Sequence, residues 1–366
     1  MADRIMAVPK FVTPNPSFHT ELKKRINLYF QQTGKSSTGG WPIYSKAIIL
    51  TSLFLFLYVH LVFFTPGLLL GILECMLLGC VVAGIGFNIM HDGAHGSFSK
   101  YGWVNTLAAF SLNVLGGSHF MWNMKHNVIH HAFTNVDGVD DDIDIKPWMR
   151  MSESQPKYAM HRYQHIYFWF LYSLLYVLWI FVLDYQKYFK RRIGAMPLKK
   201  MSVGDHLIFW SFKVLNLGLY VALPVYLVGF MGWLLGFGIF SLVAGFVLSI
   251  VFQLAHTVEH THFPVPDAVT GKLQDEWAIH QLKTTANFAP HNRVINWFVG
   301  GLNFQVEHHL FPKISHVHYP AISRIIKQAC AEYNVPYIEY PRMRSAVAAH
   351  VSFLKQMGRG SERKAA

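Results

Sequence analysis

The sequence predicts an all-α integral membrane protein: four spanning helices in two hairpins, interfacial helices, and a histidine-rich cytoplasmic cap. Three observations carry this. Of 366 residues, 52% are hydrophobic and only 14% charged, where soluble domains average about 25% charged. Four apolar runs approach the ~20 residues a helix needs to cross a bilayer. Histidine, at 21 residues, outnumbers the 20 Asp plus Glu, and much of it falls in clusters beside those runs. Other classes are excluded along the way. Cys75, Cys80 and Cys330 form no CxxC pair, so neither a disulfide framework nor a cysteine zinc site is available. The net charge of +12 does not point to nucleic acid, because Lys and Arg flank the apolar runs instead of lining a basic helix or a finger motif.

Taken in order, residues 1–46 are polar and basic and read as a cytoplasmic N-terminal segment without the apolar stretch of a signal peptide. Residues 47–64 are uncharged and 67–90 carry only Glu74; Thr65-Pro66 between them predicts a tight hairpin. A second hairpin is predicted from 207–230 and 233–255, joined at Met231-Gly232, with Lys213 expected to snorkel to the interface. Residues 104–121 hold Asn105, Asn113, Gly116, Gly117 and His119, too polar for a span. Residues 166–183 are long enough to cross, but Lys187, Lys190, Arg191, Arg192, Lys199 and Lys200 follow. A crossing would put that cluster outside, against the positive-inside rule. An interfacial or re-entrant helix is therefore expected there. Four crossings leave both ends and the middle on the cytoplasmic side, with cap helices such as 321–333 and a C-terminal tail over 341–366.

Four histidine clusters stand just outside apolar runs. They are His91-x3-His95, His126-x3-His130-His131, His256-x3-His260 and Gln305-x2-His308-His309. Residues i and i+4 share a helix face, so His91 with His95, and His126 with His130, can each aim at one metal. His131 lies about 100° further round and is placed to reach a second. Eight or nine imidazoles exceed the four ligands that one zinc takes, so two metals of the kind that favours imidazole are expected. Not every histidine is read this way. His260 and His262 fit solvent or an outer role as well as ligation; His60 and His119 sit in apolar runs as packed core residues. His161, His165, His206, His280, His291, His316 and His318 lack the spacing and are taken as surface or outer residues. Asp92 and Glu307 are expected to orient the imidazoles beside them. The acidic run Asp137 to Asp144 lacks the Glu of a calcium loop and reads as a solvated loop or an outer layer of the metal site.

These boxes resemble those of the membrane-bound fatty acid desaturase family, over roughly residues 40–340. Gln305 in place of a histidine, within Gln-Val-Glu-His-His, is similar to front-end acyl desaturases such as linoleoyl-CoA Δ6-type enzymes. The resemblance implies two non-haem irons on the cytosolic side of four spanning helices and a tunnel for a kinked acyl chain. It implies His91, His95, His126, His130, His131, His308 and His309 as ligands, His256 as an extra one from the end of the last span, Gln305 as a weak or water-mediated one, and His260 as a further possibility. The domain so implied covers 47–340. The implied reaction uses O2 to place a cis double bond in a fatty acyl-CoA or acyl-lipid, forming water. No His-Pro-Gly-Gly haem motif occurs, so electrons are expected from a separate carrier, cytochrome b5 or a ferredoxin with its reductase. The implied location is a bacterial inner membrane or the endoplasmic reticulum. A di-iron hydroxylase or ketolase would use the same boxes. A metal transporter would need more ionisable residues within the spans than His60 and Glu74.

Overall fold

The structure is a computed structural model and describes residues 8–14 and 16–360. Helix α1 (Phe18–Thr33) is amphipathic: Phe18, Leu22 and Ile26, spaced by four, form its buried face. The Ser17 hydroxyl caps its start, and Gly34 ends it in the left-handed conformation, φ 63°. Two long helices follow, α2 (Trp41–Phe64) and α3 (Leu68–His95). Thr65 at φ 44° and Pro66 break the chain between them. Then come α4 (Gly102–Val114) and a helical stretch, α5, over residues 119–133. Helices α6 (Ala159–Ser173) and α7 (Leu175–Lys190) meet at a 58° bend, and α8 (Val203–Val228) and α9 (Phe230–His256) form the second long pair. The rest is cap-like: α10 (Trp277–Thr284), α11 (Arg293–Phe298), α12 (Gln305–Leu310), α13 (Tyr319–Glu332) and α14 (Met343–Arg359). Sheet is minimal. A hairpin pairs β1 (Arg192–Ile193) with β2 (Met196–Pro197), and β3 (Ala286–Phe288) lies parallel to β4 (Ile338–Tyr340).

Helices α2, α3, α8 and α9, the four predicted spans, have the length and apolarity to cross a membrane, and the bent pair α6–α7 would add a fifth if it crossed as one; the chain is an integral membrane protein. Two boundaries moved for a physical reason. The first box lies on α3 itself, because the helix runs on through His95 before Gly96 stops it at φ 74°. The second hairpin turns at Gly229, φ 82°, and not at Met231-Gly232. Helix α4 spans 13 residues, too few to cross.

Small residues set the close approach of the helices. A Cβ on Gly79 of α3 would stand 2.5 Å from the Phe240 carbonyl oxygen of α9, a spacing only glycine permits. Lys213 corrects a sequence expectation. Its ammonium does not reach an interface; it is buried, donating to the carbonyls of Gly116 (2.7 Å) and Ile180 (3.1 Å) and pairing with Asp184 at 3.0 Å. Snorkelling is the outcome when a lysine has only lipid beside it; here a buried carboxylate and two free carbonyls offer more. The remaining intramembrane pair, His60 and Glu74, bond to each other at 2.9 Å.

Residues beyond 340 pack into the main core. Ala346, Ala349, Phe353 and Leu354 of α14 join Phe168 and Tyr172 of α6 and Leu254 of α9. His350 fixes that junction: its Nδ1–H donates to the Thr257 carbonyl at 2.6 Å, and its Nε2 accepts from the Tyr172 hydroxyl at 2.9 Å. This geometry requires the neutral ring, and burial lowers its pKa to about 4. Because the unfolded chain takes up this proton near pH 6.5 and the folded one only near 4, stability falls as pH drops through that window. The slope from this residue is about 1.4 kcal/mol per pH unit. Unfolding midpoints between pH 7 and 4 should show His350→Gln losing part of this acid sensitivity; an unchanged slope would show that His350 does not set it.

Candidate metal centre

The histidines converge. Helix α3 brings His91 and His95, α5 brings His126, His130 and His131, α9 ends on His256, and α12 carries His308 and His309. Donor atoms of His91, His95, His126 and His308 all lie within 4.8 Å of one another, and so do those of His130, His256 and His309. Each set fits one ion, since imidazole nitrogens stand about 2 Å from a bound metal. His131 lies between the sets. Its ring centre is 4.8 Å from that of His95, 4.6 Å from His308 and 4.4 Å from His309.

A π-helical turn explains this bridging position. Met124–His130 is wound as a π-helix, which brings residues five apart into register. His126 and His131 therefore face each other, Nε2 to Nε2 at 3.2 Å. A second π-turn, Gly86–Met90, leads into His91. Spacing read at 3.6 residues per turn put His131 on another face; the wider turn turns it inward.

The outer nitrogens of four rings are held by polar groups, as ligating imidazoles usually are, whereas Nδ1 of His91 and of His131 is buried without a partner. His130 Nδ1 meets Asp140 at 3.0 Å, and Asp140 also accepts from the Asn135 N–H. His309 Nδ1 donates to Gln281 Oε1 at 2.8 Å, and His308 Nδ1 lies 3.1 Å from the Tyr319 hydroxyl. His256 Nδ1 faces the Thr284 carbonyl at 3.3 Å. The inward Nε2 atoms of His91, His95, His130, His256, His308 and His309 are buried without a hydrogen-bond partner. Orphaned polar atoms at this density are rare in folded proteins, and one type of ligand satisfies all of them: a cation. Burial, reinforced by the neighbouring imidazoles, holds His126, His131, His308 and His309 well below the usual histidine pKa. They keep their lone pairs at neutral pH. For His130 burial pulls downward but the Asp140 carboxylate outweighs it, and the pKa rises. The residues present therefore fit a pair of metal ions.

Other expected residues are placed differently. Gln305 is buried at the start of α12 with its amide oxygen unpartnered. His260 is exposed and in left-handed conformation, φ 75°, in neither donor set. Asp92 and Glu307 do not orient their neighbouring histidines, against expectation. Asp92 stands 3.8 Å from His91 and instead binds His316 Nδ1 (3.1 Å) and the Ser315 hydroxyl (3.0 Å). Glu307 accepts from Asn287 (2.8 Å) and the Tyr337 hydroxyl (2.7 Å). On a helix, the side chain next to a ligand points away from the metal, so each carboxylate clamps its element from behind. The orienting acid comes from the acidic run: Asp140, with Asp142 near His126 and His130. Gln281, Tyr319 and Thr284 carry no sequence signal, being ordinary residues made important by position. Gly300 sits at φ 59°, where a Cβ would stand 2.5 Å from the Phe87 carbonyl oxygen. It seats the loop before α12 directly on α3.

Comparisons with known proteins agree with this geometry. The family model described as "Fatty acid desaturase" matches residues 66–341. The chain is 37% identical over 350 residues to a protein of Arthrospira platensis named sn-1 linoleoyl-lipid 6-desaturase, covering 95% of this chain and 94% of that one. It is 36% identical over 356 residues to a Synechocystis protein of the same name, covering 95% and 98%. A Physcomitrium patens protein named acyl-lipid (8-3)-desaturase is 38% identical over 353 residues, covering 94% of this chain and 72% of its own. With the donor sets assembled and these matches spanning nearly its whole length, this chain belongs to the fatty acid desaturase family and is an enzyme that acts as a desaturase.

Proposed function

We propose that this chain is an O2-dependent front-end desaturase that places a cis double bond in a lipid-esterified acyl chain, using two irons held by its histidines. The observation that carries the reading is the pair of donor sets, four imidazoles and three, with His131 between them. His91, His95, His126 and His308 would hold one iron and His130, His256 and His309 the other, with His131 between the sets as a further imidazole. The two irons would supply the activation of O2 and the removal of hydrogen from an unactivated methylene pair, chemistry beyond side-chain acids and bases. The lipid carrier is supported by the names of the relatives above, which specify linoleoyl-lipid and acyl-lipid substrates. Placing the site on the cytoplasmic side is supported by the excess of Lys and Arg in every long segment outside the spans.

The chain's own residues do the rest. Asp140, Gln281, Tyr319 and the Thr284 carbonyl fix the ring planes. Trp122 stacks on His126 with ring centres 4.4 Å apart and forms an apolar wall against water. A cavity of about 310 Å³ is lined by Asn113 of α4, by Ser118, by His119 and Met124 of α5, by Lys199, and by Asp205 and Phe209 of α8. This charged, polar and apolar lining suits the polar end of an acyl-lipid, and Met124 in it lies on the same helix as His126. A more apolar cavity of about 200 Å³ lies among the spanning helices, around Tyr58, Cys75 and Phe240. It touches none of the histidine donors and is not assigned to the reacting carbons. We assign the reaction to residues 47–340, with α1 packed on α10 and α13 and α14 packed on α6 and α9.

Expression in linoleate-fed cells, with the new double bond located by mass spectrometry, tests the reading. A double bond between the carboxyl end and an existing one is expected. A hydroxylated or keto product would favour a related oxygenase, and an unchanged acyl pool would reject the proposal.

A further inference from the structure

The proposed reaction consumes electrons, and the structure offers one particular route for them. Trp277, at the first turn of α10, donates its indole N–H to the His131 carbonyl at 3.1 Å. Gln281, one turn on, donates to the same carbonyl at 3.1 Å and accepts from His309 Nδ1. Outward from the site, the partly exposed Trp277 ring lies 4.7 Å from the ring of His19 on α1. A continuous series of aromatic and hydrogen-bond contacts thus runs from the surface to His131, the residue between the two donor sets.

The surface around the outer end of that series is basic. Lys23 and Lys24 are exposed on α1, and Lys10 and Lys272 are exposed where residue 10 pairs with 272. Phe11, next to Lys10, packs its ring 5.2 Å from His280, one turn along α10 from Trp277. Among the described residues none of these four lysines has an ion-pair partner. The nearby acids are engaged elsewhere. Glu21 binds Arg25, Asp275 binds Lys283, Asp267 accepts from its own turn, and Glu276 is buried.

Resting on the desaturase reading, we propose that the α1–α10 face docks a small acidic one-electron carrier protein and that its electrons pass by way of Trp277 and the His131 backbone to the metals that the two donor sets would hold. Charge complementarity speeds and orients such encounters, and the four unpaired ammonium groups stand on α1, which carries His19, and on the 10–272 bridge, whose neighbour Phe11 packs on α10. Each docking oxidises the carrier by one electron. Two such electrons, two protons and O2, with the two hydrogens leaving the acyl chain, give two waters and one carbon–carbon double bond.

The test uses the full chain in lipid nanodiscs and an acidic plant-type ferredoxin as probe. Lys23→Glu with Lys24→Glu should weaken ferredoxin binding about tenfold at low salt, with the difference shrinking at high salt. Lys23→Arg with Lys24→Arg should restore wild-type affinity. Trp277→Phe, which keeps a ring but loses the N–H, should bind ferredoxin normally yet oxidise it several-fold more slowly. Unchanged ferredoxin affinity in the charge-reversed protein would overturn the docking face. So would a loss confined to binding of phosphatidylglycerol vesicles, which would assign these lysines to the bilayer. Wild-type protein reduced with dithionite, freed of excess reductant and then given O2 without ferredoxin separates the two claims. No product there would reject the desaturase reading, whereas product there with charge-insensitive ferredoxin binding would reject this face alone.

Discussion

Replacing His309 with alanine is expected to lower product formation by more than about a hundredfold while the protein still inserts in the membrane. The magnitude follows from comparison. Losing a partner that merely orients a metal ligand costs roughly 10–100-fold, and His309 is itself a member of the three-imidazole set. Its ring is also 4.4 Å from His131, so its loss would disturb the bridging position as well. The variant would leave Gln281 Oε1 with only the Thr134 hydroxyl. Gln281→Leu, by contrast, keeps the ligand and loses only its orientation, so a smaller fall is expected. His130→Ala should match His309→Ala, since both belong to one set. Product at wild-type level in both variants, measured by fatty acid analysis of equally expressed protein, would reject their role as ligands.

The second large effect lies away from the metals. Asp184→Ala is expected to destabilise the protein by about 3–5 kcal/mol, the usual cost of stranding one member of a buried ion pair. Lys213 would remain buried with two carbonyls but no countercharge, and a lone ammonium among spanning helices is costly. The pair also ties α7 to α8, because Lys213 bonds Ile180 as well as Asp184. Removing both charges tests the cause. Asp184→Leu with Lys213→Met should recover most of the loss, since an apolar replacement of a buried pair is often neutral. Unfolding midpoints in lipid–detergent micelles compare the three proteins. A double variant as unstable as Asp184→Ala, or a single variant as stable as wild type, would show that packing and not charge decides.

The four spans were legible because a bilayer imposes one demand, a sustained apolar run, that composition alone reveals. The box histidines were legible for a related reason: i and i+4 on a helix share a face, and His91 with His95 obey that rule. What escaped the sequence depended on departures from regular geometry or on contacts between distant segments. The π-turn over Met124–His130 rewinds the helix so that His131 meets His126, and nothing in the residue types announces it. Gln281 reaches His309, and Tyr319 reaches His308, across separate helices. Asp92 and Glu307, chosen for adjacency in sequence, face the other way because adjacent helical side chains diverge by about 100°. Lys213 was read against an apolar background, but its partner Asp184 comes from another helix.

Iron content measured on purified protein, in parallel with double-bond formation, decides whether a two-metal centre does the chemistry. About two irons per active chain are expected, as two imidazole sets require. Full activity with one iron or none, or with zinc alone, would contradict a two-iron centre.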